Sequence, residues 1–287
     1  MKYSRYSKSE LRRFLLASRY GWGFFLPLRI AHLLRHHYQL AKLGLRWLWR
    51  SREITNFTYT STRYAQWALA AHASAVTGIS LAAARRYAEE LLNNQELADY
   101  VAARHAVSER RGITNASFSP GHRLLNYILV RALKPKLVVE AGVESGLGAI
   151  IICAALARNE QEGVNGSFIG IEGNPAQSCS LFVHYPGGRG TIMRGDAADM
   201  LAEMSGGIDL YFHETGPSRA DTERQLAALG PRLTDRGVVQ TISSQMSFIN
   251  FAQQRQLRLL MCQDFALDMY RPHGSHVTTL FPALPAG

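Results

Sequence analysis

The sequence predicts an α/β protein built on an open, doubly wound sheet. The sheet is mostly parallel, ends in an antiparallel C-terminal hairpin, and is preceded by a helical N-terminal extension. Three observations predict it. A chain of 287 residues with 47% hydrophobic side chains can fill a full-sized core. From residue 137 onward, short apolar runs ending in glycine or an acid alternate with segments of helical period. Before residue 110 the long periodic segments are helical only.

The N-terminal part carries most of the charge. Residues 1–52 hold twelve Lys/Arg and one acid, Glu10, whereas the rest of the chain is close to neutral. The longest charge-free run there, Tyr20 to Leu28, is nine residues, far short of the roughly 20 that span a bilayer. No small-residue cleavage site follows a clean apolar region, so a secretory signal is not expected. From Leu28 to Trp49 apolar residues recur at helical spacing, with Arg29, His32, Arg35, His36, Lys42 and Arg46 on the other face. This amphipathic basic helix could be simply solvated, or could meet a membrane surface or nucleic acid. The neutral remainder shows no phosphate-tracking stripe, which argues against nucleic acid. Cys153, Cys179 and Cys262 are odd in number and outside any CxxC pattern. Neither a disulfide framework nor a zinc module is expected, and a reducing cytoplasm fits best.

Residues 63–108 read as helical and alanine-rich, and the loop Gly112–Pro120 leads into a helix from His122 to Leu133 that Lys134-Pro135 stops. We therefore expect a helical extension over 1–110 and an α/β domain over 111–287. In that domain strands are read at 137–141, 167–172, 190–194, 208–213 and 236–242. Helices are read at about 146–159, 175–184, 197–204 and 218–230. Leu257–Met269 and His276–Phe281 form the closing pair around the turn Arg271-Pro272-His273-Gly274, and should set an antiparallel strand at the sheet edge.

In such a sheet, ligands bind beyond the carboxyl ends of the strands. The first end reads Glu140-Ala141-Gly142-Val143-Glu144-Ser145-Gly146-Leu147-Gly148. Its glycines permit a tight turn and close backbone approach. Glu140 and Glu144 would repel a pyrophosphate, which disfavours NAD and ATP and suits a positively charged cofactor. Glu172 ends the second strand, where an acid can accept hydrogen bonds from both hydroxyls of a ribose. Asp196 follows the third, where an adenine amino group would need an acceptor. The fourth ends in Tyr211-Phe212-His213-Glu214.

Together ExGxxxGxG, the strand-two acid, Gly195-Asp196-Ala197 and IDLYFH resemble the class I S-adenosylmethionine (SAM)-dependent methyltransferases over roughly residues 113–245. The likeness is greatest to small-molecule methyltransferases whose fourth strand reads like FDLFFHDSDH. The resemblance implies a seven-stranded Rossmann-like sheet and SAM as cofactor. Glu140, Gly142 and Ser145 would line its methionine half, Glu172 its ribose and Asp196 its adenine. Glu144, Gly146, Gly148, Asn174, Ala197 and His213 fall in the same pocket. His213 and Tyr211 are the catalytic candidates: a histidine at this strand end could act as a general base or form a pocket wall. Asn115, Ser117, Tyr3 and Tyr6 are candidates on the substrate and lid side. Where such relatives often carry HDSDH, this chain has His213-Glu214-Thr215-Gly216-Pro217, and Ser243-Ser244 replaces the acids that often end strand five. No metal is therefore expected. His273 and His276 read as hairpin surface.

Two placements remain open for Tyr3, Tyr6, Phe14, Tyr20, Trp22, Phe24 and Phe25. They could cover the cleft as a lid with cation–π contact to a sulfonium, or pack the arm onto the body or a second subunit. Three functions also remain open. The first is methyl transfer to a small molecule. The second is a non-methylating reaction of SAM, such as cyclisation to azetidine-2-carboxylate with loss of methylthioadenosine. The third is a silent SAM-fold binding partner. An RNA methyltransferase would need a stacking platform that the sequence does not display.

Overall fold

A computed structural model describes residues 8–17, 23, 25–53, 58–216, 218–243, 245–267 and 276–283. Tyr3, Tyr6, Tyr20, Trp22, Phe24, Pro217, Ser244 and the turn containing His273 lie outside the described residues.

Before residue 51 the described residues include helices α1 (Lys8–Ala17) and α2 (Leu26–Arg50), the second matching the amphipathic segment. The helical stretch after residue 63 is three helices, α3 (Arg63–Thr77), α4 (Leu81–Leu92) and α5 (Gln95–Ala106). Each break has a local cause. Gly78 adopts a left-handed conformation that ends α3, and Ser80 and Asn94 accept backbone N–H groups as N-caps of α4 and α5. Then follows α6 (Arg123–Leu133), stopped by Lys134 at φ 49° just before Pro135.

The α/β part runs β1 (Leu137–Ala141), α7 (Leu147–Gln161), β2 (Ser167–Glu172), α8 (Ser180–Val183), β3 (Gly190–Arg194), α9 (Ala197–Glu203) and β4 (Ile208–His213). It continues with α10 (Arg219–Leu229), β5 (Leu233–Thr241), α11 (Met246–Gln254), β6 (Arg258–Gln263) and β7 (His276–Phe281). The sheet order is β3-β2-β1-β4-β5-β7-β6, parallel from β3 to β5. β7 is antiparallel to both β5 and β6.

Three expectations need correction. The antiparallel strand is not the edge, because β7 inserts between β5 and β6. The helix expected at 175–184 shrinks to 180–183: Asn174 forms an Asx turn with the Ala176 N–H, and Cys179 sits at φ 49°, so no helix propagates through them. The long strand expected at 257–269 covers only 258–263, and α11 lies where the sequence analysis reads no element.

Alternation along the central strands feeds two cores. Val138, Leu210, Phe212 and Val238 face one layer with α6, α7 and residues of α3, α4 and α5 such as Leu69, Leu91 and Leu97. Val139, Ala141, Tyr211 and Val239 face the other, with Leu201, Leu226 and Phe248. Helices α3 to α5 thus share one continuous core with the sheet. A buried Arg131 ties the layer together, donating to Glu90 of α4 at 2.9 Å, to Glu162 at 2.6 Å and to Asn159 of α7.

Candidate active site

β1 pairs with β2 on one side and β4 on the other, so strand order reverses at their carboxyl ends. This switch point is where an open α/β sheet leaves a crevice. Its floor is tight. Gly142, at φ 90°, lies so close to Glu214 that a Cβ would stand 2.6 Å from the Glu214 carbonyl oxygen. The Glu214 N–H in turn donates to the Ala141 carbonyl at 2.9 Å. A Cβ on Gly148, at the start of α7, would stand 2.0 Å from Glu140 Oε1. The missing side chain makes room for that carboxyl group.

Glu172 welds two loops. Its Oε2 accepts the Glu144 N–H and its Oε1 accepts the Asn174 N–H, each at 2.7 Å. Glu144 is thereby held at φ 51°, a region costly for a residue with a side chain. Glu140 is fully buried, and its Oε2 has no hydrogen-bond partner. Burial, reinforced by Glu214, pushes its carboxyl well above the usual range. Glu144 shifts the same way, chiefly by burial. Ser145 Oγ is also buried without a partner. Orphaned acceptors beside a glycine loop fit a ligand that brings positive charge and hydrogen-bond donors.

The other sequence candidates divide. Asp196 caps α9, its Oδ1 accepting from Ala198 and Asp199, and it also pairs with Arg224 at 3.1 Å. Those backbone bonds and Arg224 outweigh desolvation and hold its carboxyl below the usual range. Ala197, next to it, is buried. Tyr211 lies in the core on the α10 side, its hydroxyl donating to Gln225 at 3.0 Å. His213 ends β4 fully buried, with Nε2 2.9 Å from Thr215 Oγ1 and Nδ1 3.4 Å from Thr241 Oγ1. Phe248 packs edge-on to it, and burial lowers its pKa to about 4. Burial thus disfavours its charged form, and both ring nitrogens are engaged. Asn115 staples the end of α2, accepting from the Arg52 N–H at 2.8 Å and donating to Ser51 Oγ at 3.0 Å. Ser117 is exposed.

One group of residues went unnoticed in the sequence. His122, opening α6, places Nε2 3.2 Å from both oxygens of Glu214, and Arg123 lies 3.5 Å from Glu214 Oε2. Burial alone would raise the Glu214 carboxyl, but His122 and Arg123 outweigh it and hold it below its ordinary value. Behind His122, the Tyr59 hydroxyl donates to Asp264 at 2.6 Å and lies 3.2 Å from His122 Nδ1, while Ser61 donates to Asp264 at 3.0 Å. These residues join the segment before α3, the start of α6, the end of β4 and the loop after β6. Glycine at position 121 is required because the Tyr59 ring would be 2.7 Å from its Cβ. A glycine after Pro120 was the one local signal available.

Residues 139–241 match the model of a methyltransferase domain. No curated protein matches the sequence. Among solved structures, the chain is similar to a methyltransferase from Geobacter sulfurreducens, at 18% identity and a TM-score of 0.48, covering 64% of this chain and 90% of that one. It is similar to the Podospora anserina methyltransferase PaMTH1, solved with SAH bound, at 14% identity and a TM-score of 0.47, covering 66% and 88%. A third is the O-methyltransferase TomG from Streptomyces achromogenes, in complex with SAM, at 14% identity and a TM-score of 0.46, covering 66% and 90%. The reversed strand order and the glycine loop after β1 thus lie within the stretch, residues 139–241, that matches the methyltransferase-domain model.

Proposed function

We propose that the protein transfers the methyl group of SAM to a small-molecule acceptor at the β1/β4 switch point, without a metal. The observation that carries this reading is the concentration of Glu140, Glu144, Glu172 and Glu214 around one glycine loop, with orphaned acceptors on Glu140 and Ser145. SAM, when bound, supplies a cationic sulfonium and an electrophilic methyl group. Glu140 and Ser145 would hold its amino-acid end, Glu172 and Asn174 its ribose, and Asp196 with Ala197 its adenine. A cation beside Glu140 favours the ionised carboxylate that burial otherwise opposes.

The metal-free part of the proposal rests on the strand ends. Glu214 is bonded to His122 and Arg123, and Ser243 follows β5 where a second acid would be needed. Most of the acceleration would come from positioning the two reactants in line. The engaged nitrogens of His213 and His122 also favour a second reading, in which no acceptor base is required because SAM is itself the substrate. Its α-amine would attack its γ-carbon, the Cγ–S bond would break, methylthioadenosine would leave, and the surplus ammonium proton would pass to water.

Incubation of the purified protein with SAM alone, followed by mass spectrometry, separates the two. Methylthioadenosine with a four-carbon cyclic amino acid above the no-enzyme background would replace methyl transfer by the second reading. SAM that binds and stays intact supports methyl transfer. Failure of SAM to bind in calorimetry would overturn both.

A further inference from the structure

Helix α2 spans 25 residues, about 37 Å at 1.5 Å per residue, and none of them is buried. Of its exposed large apolar side chains, all but Leu28 gather on one side, in a sector that also holds His37. At 100° per residue, Leu26, Ile30, Leu33, Leu34, Tyr38, Leu45, Leu48 and Trp49 fall within one continuous sector of the helix surface. Leu34 is 63% exposed, Tyr38 66% and Trp49 87%. Cations edge the sector on both sides: Arg35, Lys42 and Arg46 along one border and Arg29 on the other. The helix contains no acid. No described helix is long and apolar enough to cross a membrane.

We propose that α2 is a docking surface for an anionic lipid bilayer, lying in its interface with the apolar sector inward and the bordering cations reaching the headgroups. The charge pattern selects this occupant. A second α2 laid against the first would set the Arg35, Lys42 and Arg46 border against cations of its partner, with no carboxylate on either helix to answer them. A nucleic acid would satisfy the cations and leave eight apolar side chains in water. An anionic bilayer satisfies both features at once. The inference does not depend on the reaction catalysed at the switch point, which is built from other elements.

The test is flotation of the full-length protein with vesicles. Vesicles of phosphatidylcholine containing about 30% phosphatidylglycerol should recover at least tenfold more protein than vesicles of phosphatidylcholine alone, with the difference shrinking in high salt. Replacing Leu34→Glu together with Leu45→Glu should abolish recovery. Arg35→Gln with Lys42→Gln should weaken binding to the anionic vesicles by roughly 30-fold, at about fivefold per cation. All four side chains are exposed, so melting temperatures should match the parent protein, and this is checked before flotation. Absence of flotation on either vesicle, or equal recovery on both, would overturn the proposal. So would a dimer in sedimentation velocity that the two leucine substitutions disperse, or salt-sensitive binding to an RNA oligonucleotide in protein that ignores anionic vesicles.

Discussion

Replacing Glu172 by glutamine probes whether this carboxylate shapes the pocket before any ligand arrives. In the free protein its two oxygens each accept one backbone N–H at 2.7 Å, from Glu144 and from Asn174. Glutamine keeps one acceptor and turns an NH2 group toward the other donor. One charge-assisted bond is therefore lost and a donor faces a donor, while the surviving bond becomes neutral. The loss of such a bond costs about 1.5–3 kcal/mol. At about 2–4 °C per kcal/mol for a chain approaching this size, Glu172→Gln should lower the melting temperature by at least about 3 °C without ligand. SAM affinity should fall further than this structural loss alone explains, because the ribose also loses an acceptor. Scanning calorimetry on ligand-free protein and isothermal titration with SAM measure the two effects separately. An unchanged ligand-free melting temperature would refute the idea that Glu172 holds the loop after β1. Unchanged SAM affinity would refute its placement at the ribose.

Other consequences are equally direct. Gly142→Ala puts a Cβ 2.6 Å from the Glu214 carbonyl at φ 90°; it should destabilise by more than about 2 kcal/mol, and a variant melting with the parent would disprove the tight floor of the switch point. Tyr211→Phe removes only the hydroxyl bonded to Gln225; we expect about 1 kcal/mol of lost stability and full turnover, whereas loss of turnover with normal stability would return Tyr211 to the active site. His72, buried against Thr279 at 2.8 Å, is pushed down to about 4 by burial. The folded protein therefore keeps it neutral, while the unfolded chain takes up a proton near 6.5. Its contribution is complete above that value and drains away as pH falls toward 4, at about 1.4 kcal/mol per pH unit. Urea unfolding of His72→Gln should lack this acid-side slope, and superimposable pH profiles for the two proteins would show that His72 titrates normally.

Much of the fold could be read from local pattern. β1 to β4 are apolar runs closed by glycine or acid, and the structure places them at the residues the pattern indicates. β1 and β4, central in the sheet, are buried on both faces, so nothing in them competes with that reading, whereas the edge strand β3 is at most half-buried. α11 carries Phe248, Phe251 and Ala252 at i, i+3 and i+4, but nine residues close to a strand end give too few turns of that pattern to stand out in the sequence. The position of β7 was equally hidden, since a hairpin pattern says that two strands pair but not which of them meets the rest of the sheet. At the candidate site, the glycine loop, Glu140 and Glu172 announce themselves because their spacing after a strand has a steric meaning. The Tyr59–Asp264 bond joins residues 205 apart. No local rule couples them, and only the completed sheet brings His122, Glu214 and Asp264 to one corner. Asp196 illustrates the opposite limit, because a carboxylate that reads as an adenine acceptor reads equally well as a helix cap.

The place of β7 bears on how the chain is made. β7 is an interior strand made after both of its partners, and β6, synthesised before it, has no other neighbour in the sheet. Until residues 276–281 emerge, β5 offers a bare flank and β6 has nothing to join. Thr279, the partner of His72, arrives at the same late moment. A premature stop before residue 276 would thus remove a rung from within the ladder, leaving β5 with one open edge, β6 without a partner strand and, in α3, a buried imidazole without its hydroxyl.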